Sequence, residues 1–205
     1  MTGQIANRGY LPRMIRKIIL TCGLAALIAS LAFAAARAAP EQYRLDIARS
    51  VVSFTYTLDG TPTSGRIPIV AADMRLDLDN LPASRVNVTL DATRARTGFF
   101  IATEAMRGPK VLDTARHPLI RFRSVAIRGS LRRATVTGML TIRGVTRPMT
   151  LDAVLGRQQG TAPTDRDRLI VLLTGTISRA AFGASGYPGL VADPIDLRIV
   201  ARIDR

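Results

Sequence analysis

From Tyr43 onward the chain obeys one local rule, with apolar and polar residues alternating in run after run. Residues 138–151 read Gly-Met-Leu-Thr-Ile-Arg-Gly-Val-Thr-Arg-Pro-Met-Thr-Leu, two such runs folded back around a short turn at 143–148. Residues 173–203 carry the same pattern. A period of two sends successive side chains to opposite faces of a β-strand, so one face is buried and the other meets water. A chain built almost wholly from such runs must bury its apolar faces against each other. For a single sheet, curling into a barrel does this, and the interior becomes either a packed core or a ligand cavity. The class is all-β, and the interior is where function is expected.

The first 38 residues do not follow the rule. Arg8, Arg13, Arg16 and Lys17 precede an apolar run over 18–36, and Ala36-Arg37-Ala38 places small residues at the −3 and −1 positions of a cleavage site. A basic start, an apolar middle and an A-x-A end make a secretory signal peptide. The expected division is a signal over 1–38, cleaved after Ala38 or nearby, and one domain over 39–205. Met14 is an alternative start to Met1. The apolar run of about 19 residues also has the length of an uncleaved membrane anchor. Cys22 does not mark a lipoprotein, because most of the apolar stretch follows it and Thr21 is a poor residue before a lipidated cysteine.

Five basic residues and no acidic one lie in 1–38, so the remainder holds 24 Lys+Arg against 15 Asp+Glu, a net charge of +9. It holds no cysteine, so an exported form would have no disulfide. The positive charge is nearly all arginine, scattered singly on polar strand faces at Arg66, Arg75, Arg85, Arg121, Arg123, Arg198 and Arg202. A nucleic-acid binder clusters its charge and interleaves exposed aromatics, so nucleic acid is not an expected partner. The charge suits peripheral contact with an anionic membrane surface. A solvated sheet face explains it equally well.

Along the chain, Tyr43–Ile47 reads as a short first strand, and Val52, Phe54, Tyr56 and Leu58 then alternate with Ser53, Thr55 and Thr57. Asp59-Gly60 is a turn signal. The inward set from alternation continues with Ile67, Ile69 and Leu76, then Val88 and Leu90. After the middle of the chain it resumes with Ile120 and Phe122, then Val136, Leu140 and Ile142, Met149 and Leu151, and last Ile199 and Ala201. Residues 97–117 lack the period. Their helix-compatible fragments, 103–107 and 111–115, are split by Gly108-Pro109, with Thr103 as a candidate helix cap. A long irregular segment inside a small barrel reads as a lid. Residues 156–167 read as a polar loop and 178–183 as a helical turn. The near-continuous apolar run 169–177 reads as a strand buried on both faces. Gly65 and Gly138, on the inward face, suggest volume left free for a ligand.

Catalytic chemistry is scarce. With His117 as the one histidine and no cysteine after residue 38, neither a metal cluster of the usual ligands nor a Cys–His pair can be assembled. Asp77 and Asp79 share a polar face with Arg75 and read as a solvated edge. His117 has no marked orienting partner, and residues 183–189 follow no phosphate-binding fingerprint. No catalytic residue, metal or cofactor is expected.

Three strings resemble the YceI-like family: residues 138–151 its LTIRGVTRP-type signature, Pro118-Leu-Ile-Arg-Phe-Arg-Ser124 its P-x-I-x-F-x-S strand, and Thr176-Ile-Ser-Arg-Ala-Ala-Phe-Gly183 its I-x-R-x-x-F-G corner. Order and spacing agree, and the similarity covers roughly 43–204. The resemblance implies an extended, eight-stranded, lipocalin-like antiparallel barrel with short helices over one end. It implies export to the periplasm and an amphiphilic isoprenoid-type molecule inside the barrel; another long-chain lipid is also an expected cargo, and a closed barrel leaves both monomer and homodimer open. It also implies that 105–113 helps cover the mouth, which makes Met106 and Leu112 lid candidates. Two departures stand out: Leu112-Asp113 where relatives commonly carry Phe-Asp, and Thr55, Tyr56 and Thr57 where relatives carry a histidine in the first long strand. The expected function is lipid binding or carriage. The alternative is an envelope stress-protective protein that scavenges lipids without a dedicated cargo.

Overall fold

The computed structural model describes residues 41–162 and 164–205, so the expected signal segment lies outside the described residues. Eleven strand segments form one antiparallel sheet that closes on itself. β1 (Glu41–Leu45) and β2 (Val51–Leu58) are two halves of one stave, as are β3 (Thr61–Ile67) and β4 (Ile69–Leu76). The second stave is interrupted at Pro68, which has no N–H to give to a ladder. The other six staves are β5 (Arg85–Asp91), β7 (Leu119–Gly129), β8 (Ala134–Ile142), β9 (Val145–Arg157), β10 (Arg168–Ser178) and β11 (Val191–Asp204). The two-residue β6 (Arg96–Thr97) is a small addition on the edge of β3.

Each stave pairs with its neighbour in sequence. The last, β11, closes the ring on the first, with Leu197 opposite Phe54 and Ile203 opposite Leu45. The antiparallel barrel expected from the alternation is what forms, with the eight strands that the resemblance implies. Two turns are tight: Asp59-Gly60 and Arg143-Gly144 both have positive φ at both residues, the primed geometry that matches strand twist. The second is shorter than the turn read at 143–148, because β9 already starts at Val145.

Two β-bulges reset the inward parity. In β4 the register shifts between Ile69 and Ala71, so Ile69 and Met74 are both buried although five positions apart. In β7 it shifts between Ser124 and Ala126, which leaves Val125 outside and turns Ile127 inward.

Three local expectations need correction. The run 169–177 is not buried on both faces. Leu169, Val171, Leu173 and Ile177 belong to the core clusters, while Ile170 and Leu172 sit half-buried on the outer wall. The helix α1 (Phe100–Arg107) begins three residues before Thr103, which is therefore not its cap. The buried Thr103 hydroxyl instead donates to the Phe99 carbonyl (3.1 Å) and accepts from the Thr97 N–H (3.0 Å), fastening the helix to β6. The fragment 111–115 is not helical. It folds back so that the Leu112 N–H meets the Met106 carbonyl and the Thr114 N–H meets that of Arg107.

The antiparallel order fixes two different ends. At one, where the described chain enters and leaves, Tyr43, Met74, Leu169 and Ile203 pack into a floor, and the Tyr43 hydroxyl donates to the Arg166 carbonyl at 3.0 Å. The other end carries both tight turns, the segment 92–118 with α1, and the loop 179–190.

Candidate functional site: an apolar cavity under the lid

Inward side chains from every stave surround a cavity of about 570 Å³. That lies inside the range of small-molecule sites, roughly 300–1,000 Å³. Every inward side chain picked out from the sequence lines it, as do the lid candidates Met106 and Leu112. Phe54, Tyr56, Ile69, Ile120, Val136, Leu140, Ile142, Met149 and Leu151 are buried. Ile67, Leu76, Val88, Leu90, Phe122 and Ile199 are only half-buried, although they point inward, as do the lid residues Met106 and Leu112. An inward side chain in a packed core would lose nearly all its exposed area. The residual exposure of these wall residues therefore marks a hollow interior.

Several lining residues escaped the sequence reading. Val171 and Leu173 were hidden in a run whose apolar character is continuous, and Ile127 lies beyond a bulge. Phe99, Ile101, Phe182, Tyr187 and Leu190 come from the lid and the 179–190 loop, where no strand period exists to assign a face.

The inward glycines act differently from the expectation. A Cβ on Gly138 would lie 2.5 Å from both the Phe122 ring and the Arg123 carbonyl oxygen, and a Cβ on Gly65 would collide with the Phe54 ring. The space beside each glycine is already taken by a cross-strand aromatic. Its effect on the cavity is indirect, since the missing Cβ leaves room for the neighbouring ring. Gly138→Ala should destabilise the protein by about 1–3 kcal/mol, the usual cost of overpacking, because the carbonyl cannot swing aside as a side chain can. Urea unfolding checks this.

Polar groups at the lining are few. The Tyr56 hydroxyl is buried, and it has no hydrogen-bond partner among the described residues. Its ring leans on Phe54, with centroids 6.1 Å apart. A buried, unpaired hydroxyl costs about 1–3 kcal/mol. Tyr56→Phe is therefore expected to hold or raise the urea midpoint, by up to about 1 kcal/mol in stability.

Arg179 is the charged residue of the lining, yet its guanidinium faces protein, donating to the carbonyls of Ala184, Gly186, Val191 and Ala192 at 2.5–3.0 Å. Beside it, the Asp193 carboxyl is held below its ordinary range by hydrogen bonds from Ser178 and the Ala180 N–H, with Arg179 nearby. No aspartate, glutamate, histidine or lysine lines the cavity among the described residues. His117 sits outside it, with its ring against Gly144. Asp77 accepts the N–H groups of Asp79 and Asn80, and Asp79 pairs with Arg166 at 2.7 Å, so both carboxylates serve turns and surface pairing.

Comparison with known proteins agrees with this architecture. Residues 43–203 match the YceI-like domain. Protein YceI of Escherichia coli O157:H7 is 28% identical over 174 residues, covering 83% of this chain and 91% of that protein. Among solved structures, BcnA of Burkholderia cenocepacia superposes with a TM-score of 0.70 at 21% identity, covering 78% of this chain and 99% of that one. The YCEI protein of Campylobacter jejuni gives 0.61 at 20% identity, covering 69% and 84%. A domain match that runs from the first stave to the last settles the kinship read from three short motifs: the chain belongs to the YceI-like domain family.

Proposed function

We propose that this protein binds and carries a long apolar chain, an isoprenoid or another long-chain lipid, inside its barrel in the cell envelope after export. The observation behind this reading is a cavity of about 570 Å³ whose wall is almost entirely hydrocarbon. Each buried CH₂ contributes about 0.8 kcal/mol, so a long apolar chain is held there without strong polar contacts. The floor of Tyr43, Met74, Leu169 and Ile203 packs one end of the barrel, and the exposed rim residues Phe99, Ile101, Tyr187 and Leu190 line the cavity at the other, which favours entry from the lid end. The lining supplies no acid–base pair, which favours carriage over catalysis.

The near absence of polar discriminators also favours a second reading, a scavenger that accepts many lipids. Native mass spectrometry of protein purified from its own envelope separates the two. One stoichiometric lipid species is the expected result for a carrier. A mixed population indicates the scavenger, and consistently lipid-free protein overturns both.

A further inference from the structure

The rim of the cavity exposes more hydrocarbon than the barrel wall does. Phe100 and Ile101 are 77% and 79% exposed, the highest values among the large apolar residues, and Phe99, their neighbour, is 48% exposed. Across the opening, Tyr187 and Leu190 are 41% and 48% exposed. Phe99, Ile101, Tyr187 and Leu190 also line the cavity, so the exposed apolar surface is continuous with the interior. Single exposed apolar residues are ordinary, but a cluster of them marks a contact surface. Elsewhere on the barrel, Val70, Val125 and Val154 are exposed from separate strands.

Charge identifies the contact. The segment 92–118 carries Arg94, Arg96, Arg107, Lys110 and Arg116 against only Glu104 and Asp113. Both carboxylates face arginines of their own segment, Glu104 with Arg107 at 3.1 Å and Asp113 with Arg116 at 3.9 Å. Arg96 and Lys110 are exposed and form no ion pair among the described residues; the Lys110 ammonium stands 5.8 Å from the Tyr187 ring. Aromatic and aliphatic side chains at the tip, with unneutralised cations beside them, are the pattern of a segment that lies in the interface of an anionic bilayer.

We propose that the lid end is a membrane-docking surface: Phe100 and Ile101 insert at the headgroup boundary of an anionic bilayer, Arg96 and Lys110 hold the lipid phosphates, and the cavity mouth then opens onto the membrane. The inference rests on exposure and charge at the rim, whatever cargo the cavity takes.

The chain contains no tryptophan, so Phe100→Trp gives a single local reporter. With phosphatidylcholine–phosphatidylglycerol vesicles, the Phe100→Trp emission should shift to the blue and be quenched by brominated lipid. Phosphatidylcholine alone should give little of either. Phe100→Ser and the pair Arg96→Gln/Lys110→Gln should each lower vesicle cosedimentation several-fold. The wild-type signal should weaken as added salt shortens the screening length toward about 3 Å near 1 M. Uptake of a water-dispersed fluorescent fatty acid, measured without vesicles, should be unchanged in Phe100→Ser. Unchanged emission and no quenching on anionic vesicles would overturn the proposal. So would a blue shift that appears without lipid and scales with protein concentration, since that reports self-association of the patch.

Discussion

Leu173→Trp/Ile199→Trp should fold normally and take up long-chain lipid at least about tenfold less well than the wild type. The two residues face each other across β10 and β11, both line the cavity, and both keep residual exposure because they look into open space. Both pack only at the edge of the main core cluster, so the added bulk of an indole there extends mainly into the lumen. The penalty therefore falls on the cargo, not on the barrel. A loss of only two buried methylenes from the bound chain is worth about 1.6 kcal/mol, already more than a factor of ten in affinity. Ile142→Trp provides the contrast. Ile142 is 8% exposed and packed within the main core cluster, so the same indole there should also lower the unfolding midpoint. Titration with a fluorescent fatty acid alongside urea unfolding distinguishes the cases. Wild-type uptake by a folded Leu173→Trp/Ile199→Trp variant would show that cargo does not occupy this cavity.

The sequence made the walls of this site legible and left its ends obscure, for a physical reason. Strand alternation assigns a face to each residue as long as the ladder stays in register. Phe54, Leu90, Leu140 and Leu151 could therefore be placed inward from spacing alone. A bulge breaks that inference, because one extra residue reverses the parity of everything after it. Ile127 was lost this way, beyond the shift at Val125. Leu173 was obscured differently, since the outer wall of β10 carries Ile170 and Leu172 and the run shows no alternation to read. The lid has no ladder at all. Its helix starts at Phe100 because Thr97 and Thr103 bond across the segment, a contact that local capping preferences do not encode. The inward glycines misled for the opposite reason: their positions were right, but the volume beside them belongs to the rings of Phe54 and Phe122.

Arg179→Met should cost about 3 kcal/mol or more, the largest stability loss expected from a single side chain around the mouth. Arg179 is 8% exposed, and its guanidinium binds four backbone carbonyls, those of Ala184 and Gly186 in the irregular 179–190 loop and those of Val191 and Ala192 at the start of β11. Methionine roughly matches the length of the stem but offers no donors, so the carbonyls of Ala184, Gly186, Val191 and Ala192 lose their charged partner together. Hydrogen bonds to a charged group contribute about 1.5–3 kcal/mol each, and buried acceptors left unpaired add a desolvation cost. Partial relaxation of the loop toward water is what keeps the total well below the simple sum. For a domain of this size a 3 kcal/mol loss lowers the Tm by roughly 6–12 °C. Arg179→Lys should recover little of it, because a single ammonium cannot reach carbonyls spread around a planar fork. The same loop carries Tyr187 and Leu190 at the cavity mouth, so its release should also speed cargo loss. Thermal unfolding and lipid dissociation rates, measured on Arg179→Met and Arg179→Lys, test both consequences. Wild-type stability in Arg179→Met would mean that the loop is held by its packing on Phe182 and Ala184, with the arginine a bystander.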